Sequence, residues 1–257
     1  MLPYQLEGHG HPLLLIHGWG VTNTVWRNLI PLLAPHFQLI LVELPGMGAA
    51  CDIVPAKPYY TACAEGLEEL RVALGIEQWA ILAYSTGTRA GEAYMQRYPQ
   101  RVDRAVFLCP LFLRRAWKIA LEVEQWIDSL SSGLASWILS GWRLYYLLAV
   151  LGFNLQGRAC AHEWMSEIEL QPPAILKRVL LELPGKGRAP FQLPASPQVP
   201  TLFVWGSRDA LAPPPSHPQA QDVVILANHS APVLSPHSVA AVALPFLKSA
   251  YSQLVAV

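Results

Sequence analysis

The sequence predicts an α/β fold with a mostly parallel central sheet, helices on both faces of the sheet, and a helical insertion. Short apolar segments that end near Gly or Pro alternate with amphipathic segments along most of the chain. This alternation is typical of a parallel sheet covered by helices. It is interrupted between about residues 111 and 190, where the pattern is helical throughout. A chain of 257 residues is long enough to hold the sheet and the insertion.

Continuous apolar segments of four residues predict strands that are buried on both faces. These segments are residues 13–16, 39–42, 79–82, 105–108, 202–205 and 223–226. Residues 4–6 predict a further strand at one edge. Amphipathic stretches with apolar residues at helical spacing predict the covering helices. They are residues 26–33, 63–74, 89–98 and 239–247.

The interruption predicts a division of the chain into a core and a cap. We expect residues 1–110 and 191–257 to form the core, and residues 111–190 to form a helical lid over the sheet. The longest apolar stretch, residues 134–153, carries Arg143 near its middle. Because a charge at the centre of a membrane span is costly, a lid helix packed on a pocket mouth is favoured over a transmembrane helix. A weak contact between the lid and a membrane surface remains as the alternative, since Trp and Tyr suit that interface.

Composition excludes several classes of partner. Hydrophobic residues make up 53% of the chain and charged residues only 14%, against about 25% charged in an average soluble domain. The 18 basic and 18 acidic residues balance, and no basic run is present. We therefore expect no nucleic-acid partner. The excess of apolar residues indicates a large core, an apolar substrate pocket or a surface that touches lipid.

The cysteines and the amino terminus bear on cofactors and localisation. The four cysteines show no metal-ligand spacing, so we expect no metal. No other cofactor is expected. Free, mostly buried thiols in a reducing compartment are predicted, with disulfides as the alternative. The first residues lack the basic and apolar regions of a signal peptide. A cytoplasmic protein is expected. The cysteines are Cys51, Cys63, Cys109 and Cys160.

The motif AYSTG at residues 83–87 predicts a nucleophile. It follows a predicted strand and begins a predicted helix, the context in which such a motif has meaning. So sharp a turn strains the central residue, and it needs small residues such as Ala83 and Gly87 because the strand and helix backbones nearly touch. Ser85 would then project at the carboxyl end of the sheet. The alternative is a helix N-cap serine, which is common at this position.

A serine nucleophile needs a base, and the base needs a partner that fixes its tautomer. His229 closely follows the last predicted strand, and loops at the carboxyl ends of parallel strands converge. Asp209 follows the strand at 202–205, whereas Asp222 lies at the start of a strand. The other common place for an acid, after the strand at 105–108, holds Cys109 and Pro110. We therefore predict Ser85, Asp209 and His229 as a catalytic triad, although a lone Asp after a strand is often only a turn residue.

The loop HGWG at residues 17–20 predicts an oxyanion hole. It follows the first buried strand, and its glycines would let backbone amides face the site. The amides of Trp19 and Thr86 could together bind the oxyanion of a tetrahedral intermediate; the alternative is a simple Gly turn. His17 is expected to shape this loop by hydrogen bonding. The residues expected to line a substrate pocket are His17, Tyr84, Trp142 and Tyr146.

These motifs together resemble the α/β-hydrolase superfamily over essentially the whole chain. The matching segments are HGWG at 17–20, ELPGMG at 43–48, the turn at Ser85, GSRD at 206–209, and His229. Within the superfamily, the Trp in the oxyanion loop, the stretch 229–237 and the length are similar to the pimeloyl-[acyl-carrier protein] methyl ester esterases of biotin synthesis. The chain departs from the usual pattern at Ala83, Asn228 and Glu43, and around the nucleophile at Thr86 and Thr88.

The resemblance implies a serine esterase with an acyl-enzyme intermediate. The apolar lid suggests a lipophilic ester, either a small molecule or an acyl group on a carrier protein. Basic and acidic residues are nearly equal in number in the insertion, so its charge does not argue strongly for an acidic carrier. Two alternatives remain at this point: a carbon–carbon lyase or hydrolase on the same scaffold, and a non-enzymatic receptor that uses the pocket to bind a ligand.

Overall fold

The structure is a computed structural model that describes residues 1–111, 163–164, 166–183 and 199–249. Its centre is a seven-stranded sheet with the order β1-β3-β2-β4-β5-β6-β7. Strand β1 pairs with β3 in antiparallel orientation, and the other pairs are parallel. The strands are β1 Tyr4–Gly8, β2 His11–Ile16, β3 Phe37–Val42, β4 Trp79–Tyr84, β5 Val102–Leu108, β6 Thr201–Gly206 and β7 Asp222–Ile225. The predicted fold class and all seven predicted strands are confirmed.

Strands β2 to β6 are buried on both faces over their apolar segments, as predicted. The same prediction is wrong for the segment 223–226, where Val224 is 43% and Leu226 67% exposed, because β7 lies at the edge of the sheet. Along β2, Leu13 and Leu15 enter one core cluster, and Leu14 and Ile16 enter the other. This alternation follows from the strand period of two. Every residue of β4 is buried. The sheet therefore separates two apolar cores, each covered by helices.

Helices cover both faces of the sheet. The helices are α1 Ile30–Leu33, α2 Tyr59–Ala73, α3 Gly87–Arg97, α4 Pro173–Leu181, α5 Ala231–Leu234 and α6 Pro236–Lys248. Buried residues of α1 and α6 join the cluster that contains Leu13, whereas those of α2 and α3 join the cluster that contains Leu14. Helix α3 follows β4 after a turn of two residues, so its first turn lies at the carboxyl edge of the sheet.

One predicted helix is wrong in its extent. The stretch 26–33 was expected to be continuous, but it contains the end of a 3-10 turn at Asn23–Trp26 and the short α1. Pro31 lies at the start of α1, and it has no amide hydrogen to continue a helix from the preceding turn. The stretch 63–74 is helical through residue 73, but α2 begins earlier, at Tyr59, immediately after Pro58.

The described part of the insertion is bound to the core by polar contacts. The Glu167 carboxylate accepts hydrogen bonds from the Thr22 amide, at 3.1 Å, and from the Thr24 hydroxyl. The side-chain oxygen of Gln171 accepts a hydrogen bond from the Gly48 amide at 2.8 Å. These contacts join the insertion to the loops that follow β2 and β3, and so to the carboxyl edge of the sheet.

Several predictions about the insertion fall outside the described residues. Trp142, Tyr146 and the apolar stretch 134–153 are among these, and the boundaries 111–190 of the lid remain a prediction. Within the described ranges, no helix has both the length and the hydropathy that are needed to cross a bilayer.

Candidate active site

The turn between β4 and α3 holds Ser85 in a strained backbone conformation. Its φ is 53°, in the left-handed region that non-glycine residues rarely adopt. The Ser85 amide donates to the Leu108 carbonyl at 3.0 Å, and the Ser85 carbonyl accepts from the Thr88 hydroxyl at 2.6 Å. Such strain costs on the order of 1–3 kcal/mol and persists where the surrounding structure enforces it. The strain predicted at the centre of this turn is present.

Small residues allow the turn to pack against the loop that follows β2. A Cβ atom on Gly18 would lie 2.9 Å from the Cβ atom of Ser85. The residue after Gly18 is Trp19, whose amide is the first predicted oxyanion donor. The loop at residues 17–20 therefore lies in direct contact with the serine.

Ser85, His229 and Asp209 form a connected chain of hydrogen bonds. The Oγ atom of Ser85 is 2.9 Å from Nε2 of His229, and Nδ1 of His229 is 2.7 Å from Oδ2 of Asp209. All three residues are at most 4% exposed. A carboxylate can only accept a hydrogen bond, so Nδ1 carries the proton and Nε2 is free to accept from the serine. The structure therefore brings together the three side chains that the sequence predicts as a triad.

The Asp209 carboxylate is held by both of its oxygens. Oδ1 accepts from the amides of Leu211 at 2.9 Å and Ala212 at 2.8 Å, while Oδ2 faces His229. Burial raises the pKa of the Asp209 carboxyl, but the attraction of His229 and these hydrogen bonds outweigh burial. The net pKa lies below the ordinary value for aspartate. The rejected candidate, Asp222, begins β7 and accepts a hydrogen bond from the Trp205 indole instead.

Cys109 is a neighbour of the site that sequence reasoning did not include in it. Atoms of Cys109, Asp209 and His229 that could ligate a metal lie within 4.8 Å of one another. Burial, followed by the charge of Asp209 and a hydrogen bond to it, raises the pKa of the Cys109 thiol well above its usual range. A thiolate is therefore costly here, and Asp209 and His229 already bind each other. The sequence drew attention to Cys109 only because no carboxylate follows β5.

The predicted oxyanion donors belong to residues close to Ser85: Thr86 follows it in the chain, and Trp19 follows Gly18, which packs on Ser85. The Thr86 amide is at the N-terminal end of α3 and makes no backbone hydrogen bond to any described residue. The indole Nε1 of the half-buried Trp19 donates to the Leu176 carbonyl at 2.7 Å. Leu176 belongs to α4, so the side chain of the first donor is tied to the insertion. This anchor was not predictable from local sequence.

Two of the predicted pocket residues are engaged in contacts within the protein. His17 is fully buried; its Nε2 accepts from the Leu44 amide at 3.0 Å, so Nδ1 donates to the Gly18 carbonyl at 2.9 Å. This agrees with the expected role of His17 in shaping the loop. Tyr84 is 2% exposed and packs against the ring of His229. Whether these residues also line a pocket with Trp142 and Tyr146 remains a prediction.

The cysteines that the structure describes are free. Cys51, Cys63 and Cys109 form no disulfide, whereas Cys160 lies outside the described residues. Cys63 and Cys109 are buried and Cys51 is half-buried. The expectation of mostly buried, free thiols is therefore confirmed for these three residues.

An open, mostly parallel sheet with a strained serine between a central strand and a helix, and with an Asp and a His after later strands, defines the α/β-hydrolase class of proteins. A family model described as alpha/beta hydrolase fold matches residues 11–139, half of the chain. The chain belongs to this family.

Particular relatives agree with the resemblance. A pimeloyl-[acyl-carrier protein] methyl ester esterase from Photobacterium profundum is 35% identical over 109 residues, covering 41% of this chain. That alignment spans only 39% of the relative's length. The enzyme of the same name from Aeromonas hydrophila is 26% identical over 249 residues, covering 89% of this chain and 91% of the relative.

A solved structure supports the fold. A thermophilic esterase from Thermogutta terrifontis superposes with a TM-score of 0.77 over 96% of this chain and 93% of its own, at 22% identity. At this level of identity the likeness concerns the fold alone.

Proposed function

We propose that this protein hydrolyses carboxylic esters, with Ser85 as the nucleophile, His229 as the general base and Asp209 as the orienting acid. The observation that carries the proposal is the 2.9 Å contact between Ser85 Oγ and His229 Nε2. A hydroxyl is a weak nucleophile until an adjacent base can accept its proton. Here that base is fixed in the required tautomer by a buried carboxylate with a lowered pKa.

Acylation begins when Ser85 Oγ attacks the ester carbonyl carbon and transfers its proton to His229 Nε2. The carbonyl oxygen becomes an oxyanion in a tetrahedral intermediate. When the intermediate collapses, the bond to the alcohol oxygen breaks, and His229 gives its proton to that oxygen. An acyl-serine and a free alcohol result. Asp209 stabilises the imidazolium that forms between these two proton transfers.

Deacylation repeats the sequence with water. His229 takes a proton from water as the water oxygen attacks the acyl carbon, and it then returns a proton to Ser85 Oγ as the carboxylic acid is released.

In both halves of the reaction the amides of Trp19 and Thr86 are the proposed oxyanion donors. Donors of this kind contribute about 3–4 kcal/mol each to the rate in well-studied hydrolases.

For the substrate, we infer a methyl ester of an acyl chain that is carried on an acyl-carrier protein, as in biotin synthesis. This inference rests on the names of the relatives from Photobacterium and Aeromonas. The carrier-bound ester would approach from the carboxyl edge of the sheet, where Ser85 is located. The helical lid, predicted at residues 111–190, is proposed to contact the acyl chain.

Substitution of Ser85 tests the activity. Ser85→Ala should abolish ester turnover on p-nitrophenyl esters and leave the thermal unfolding midpoint close to that of the wild type. The matched control is Ser207→Ala, because Ser207 is exposed and lies after β6, outside the triad. Undiminished hydrolysis by Ser85→Ala would rule out the mechanism.

Substrate comparison tests the finer proposal. Rates on methyl pimeloyl-acyl-carrier protein are compared with rates on free methyl esters of increasing chain length. The proposal predicts a higher kcat/KM for the carrier-bound methyl ester. A vinylogous diketone is included, because faster cleavage of that compound than of any ester would favour carbon–carbon bond hydrolysis.

A further inference from the structure

The hydroxyl of Tyr84 joins the strand of the nucleophile to the loop of the base. Tyr84 is the last residue of β4, immediately before Ser85. Its hydroxyl donates a hydrogen bond to the backbone carbonyl of His229 at 2.8 Å, across a separation of 145 residues. The residue before the nucleophile thus also contacts His229, through a hydrogen bond to its backbone.

The ring of Tyr84 is held on two sides, so its hydroxyl has a defined position. The Trp26 ring packs against it edge-on, with centroids 6.2 Å apart and planes at 75°. The imidazole of His229 packs against it with centroids 5.4 Å apart and planes at 41°. The side chain is only 2% exposed. The packing and burial of the ring therefore fix the position of the phenol hydroxyl.

The loop that carries His229 is anchored at its flanks by other contacts. The Ala227 carbonyl accepts from the Arg208 amide at 2.9 Å, and the Asn228 side chain accepts from the Ser230 amide at 3.0 Å. The carbonyl of His229 itself is bound by Tyr84. This bond therefore fixes the peptide plane that follows the imidazole-bearing residue.

We propose that Tyr84 is a positioning residue, which sets the orientation of the His229 imidazole by binding the carbonyl of the same residue. This role rests on the proposed function of His229 as general base. The hydroxyl donates its single proton to the carbonyl, and the side chain is buried away from bulk solvent. The hydroxyl of Tyr84 is therefore expected to act on turnover through His229, so its removal should change kcat more than KM.

The test is the pair of variants Tyr84→Phe and Tyr59→Phe. Tyr59 is also fully buried, and its hydroxyl also donates to a backbone carbonyl, that of Pro45, at 3.2 Å. Both substitutions remove one buried phenol hydroxyl, but only one of these hydroxyls contacts the triad. We expect Tyr84→Phe to lower kcat roughly tenfold with KM changed less than about twofold. Tyr59→Phe should leave both constants close to the wild-type values.

Incorporation of p-aminophenylalanine at position 84 supplies the rescue. Its N–H can donate to the His229 carbonyl, so kcat should recover most of the loss seen in Tyr84→Phe. If Tyr84→Phe does not fold, 4-fluorophenylalanine at the same position, which fills the space of the hydroxyl without donating, takes its place in the comparison. Equal kcat in the wild type and the donor-less variant overturns the proposal. Equal losses in the Tyr84 and Tyr59 variants, or no rescue, also overturn it.

The outcome is separable from that of the proposed function. If wild-type protein fails to turn over esters, or Ser85→Ala turns them over undiminished, the proposed mechanism fails. If the wild type is active, Ser85→Ala is inactive and Tyr84→Phe retains full kcat, the mechanism stands and the positioning role alone is wrong.

Discussion

The first turn of α3 lies against the loop after β2 so closely that Gly87 and His17 touch through their backbones. A Cβ atom on Gly87 would lie 2.1 Å from the His17 carbonyl oxygen, far inside normal contact. The loop that begins at His17 carries Trp19, and the helix that begins at Gly87 follows Ser85. The absence of a side chain at position 87 therefore sets the distance between the nucleophile and its proposed oxyanion donor.

Gly87→Ala should disrupt this approach. Because the clash involves backbone atoms that cannot rotate away, we expect a loss of at least about 2 kcal/mol in the free energy of unfolding, measured by urea denaturation. Gly91→Ala, in the same helix, is the control. A Cβ there would meet the Phe107 side chain at 3.2 Å, and the gain in helix propensity offsets part of the crowding. Equal effects of the two substitutions would contradict the account of the turn.

Trp19→Phe removes the indole hydrogen bond to the Leu176 carbonyl. We expect a loss of about 1 kcal/mol in the free energy of unfolding, typical of one hydrogen bond, together with a lower kcat on esters because the Trp19 amide loses its anchor. Trp205→Phe is the control, since the Trp205 indole donates at 2.8 Å to Asp222, the first residue of β7, and not to the insertion. A similar loss of kcat in both variants would show that the anchor has no specific role.

The lowered pKa of Asp209 predicts a pH dependence of stability. Because the folded pKa lies below that of the unfolded chain, the unfolded state takes up the proton first as the pH falls. The stabilisation is complete above about pH 5 and is lost progressively below the ordinary aspartate pKa of about 3.9.

The pH-dependent stabilisation by the Asp209 carboxylate should be absent from Asp209→Asn. The difference in Tm between wild type and variant is therefore expected to narrow as the pH is lowered from 6 to about 3. Asp52→Asn, at an exposed position, serves as the control. A constant difference in Tm between the wild type and Asp209→Asn over this range would argue against the assignment.

Thiol reactivity should follow burial. Burial is the main cause of the raised pKa of both Cys63 and Cys109, and thiolates rather than thiols react with iodoacetamide. We expect the half-buried Cys51 to be alkylated at least about tenfold faster than either of them in the folded protein, as followed by peptide mass spectrometry. Addition of urea should remove the difference. Rapid alkylation of Cys109 without urea would mean that the site opens more readily than the structure indicates.

Local sequence was sufficient to predict the strands and the order of the site residues. The apolar segments of β2 to β6 are buried on both faces, and Ser85, Asp209 and His229 each follow a predicted strand. Helix limits were less accurate. The stretch 26–33 has a helical pattern, but Pro31 interrupts the hydrogen bonding, an effect that the apolar spacing does not report.

Contacts between distant residues could not be predicted in the same way. The bond from Tyr84 to the His229 carbonyl joins the end of β4 to a loop that reaches it only after the sheet has formed. The anchor of Trp19 on Leu176 depends equally on where the insertion returns to the core. In each case one partner is a backbone carbonyl. Every residue has one, so the residue type at that position does not indicate the contact.

Covalent capture of the nucleophile is the most direct test of the central claim. The protein is treated with a fluorophosphonate and analysed by intact mass and by peptide mapping. The account predicts one added phosphonyl group per chain, on Ser85, with labelling strongly slowed in His229→Ala. Absence of labelling, or labelling of a different residue at the same rate in both proteins, would contradict it.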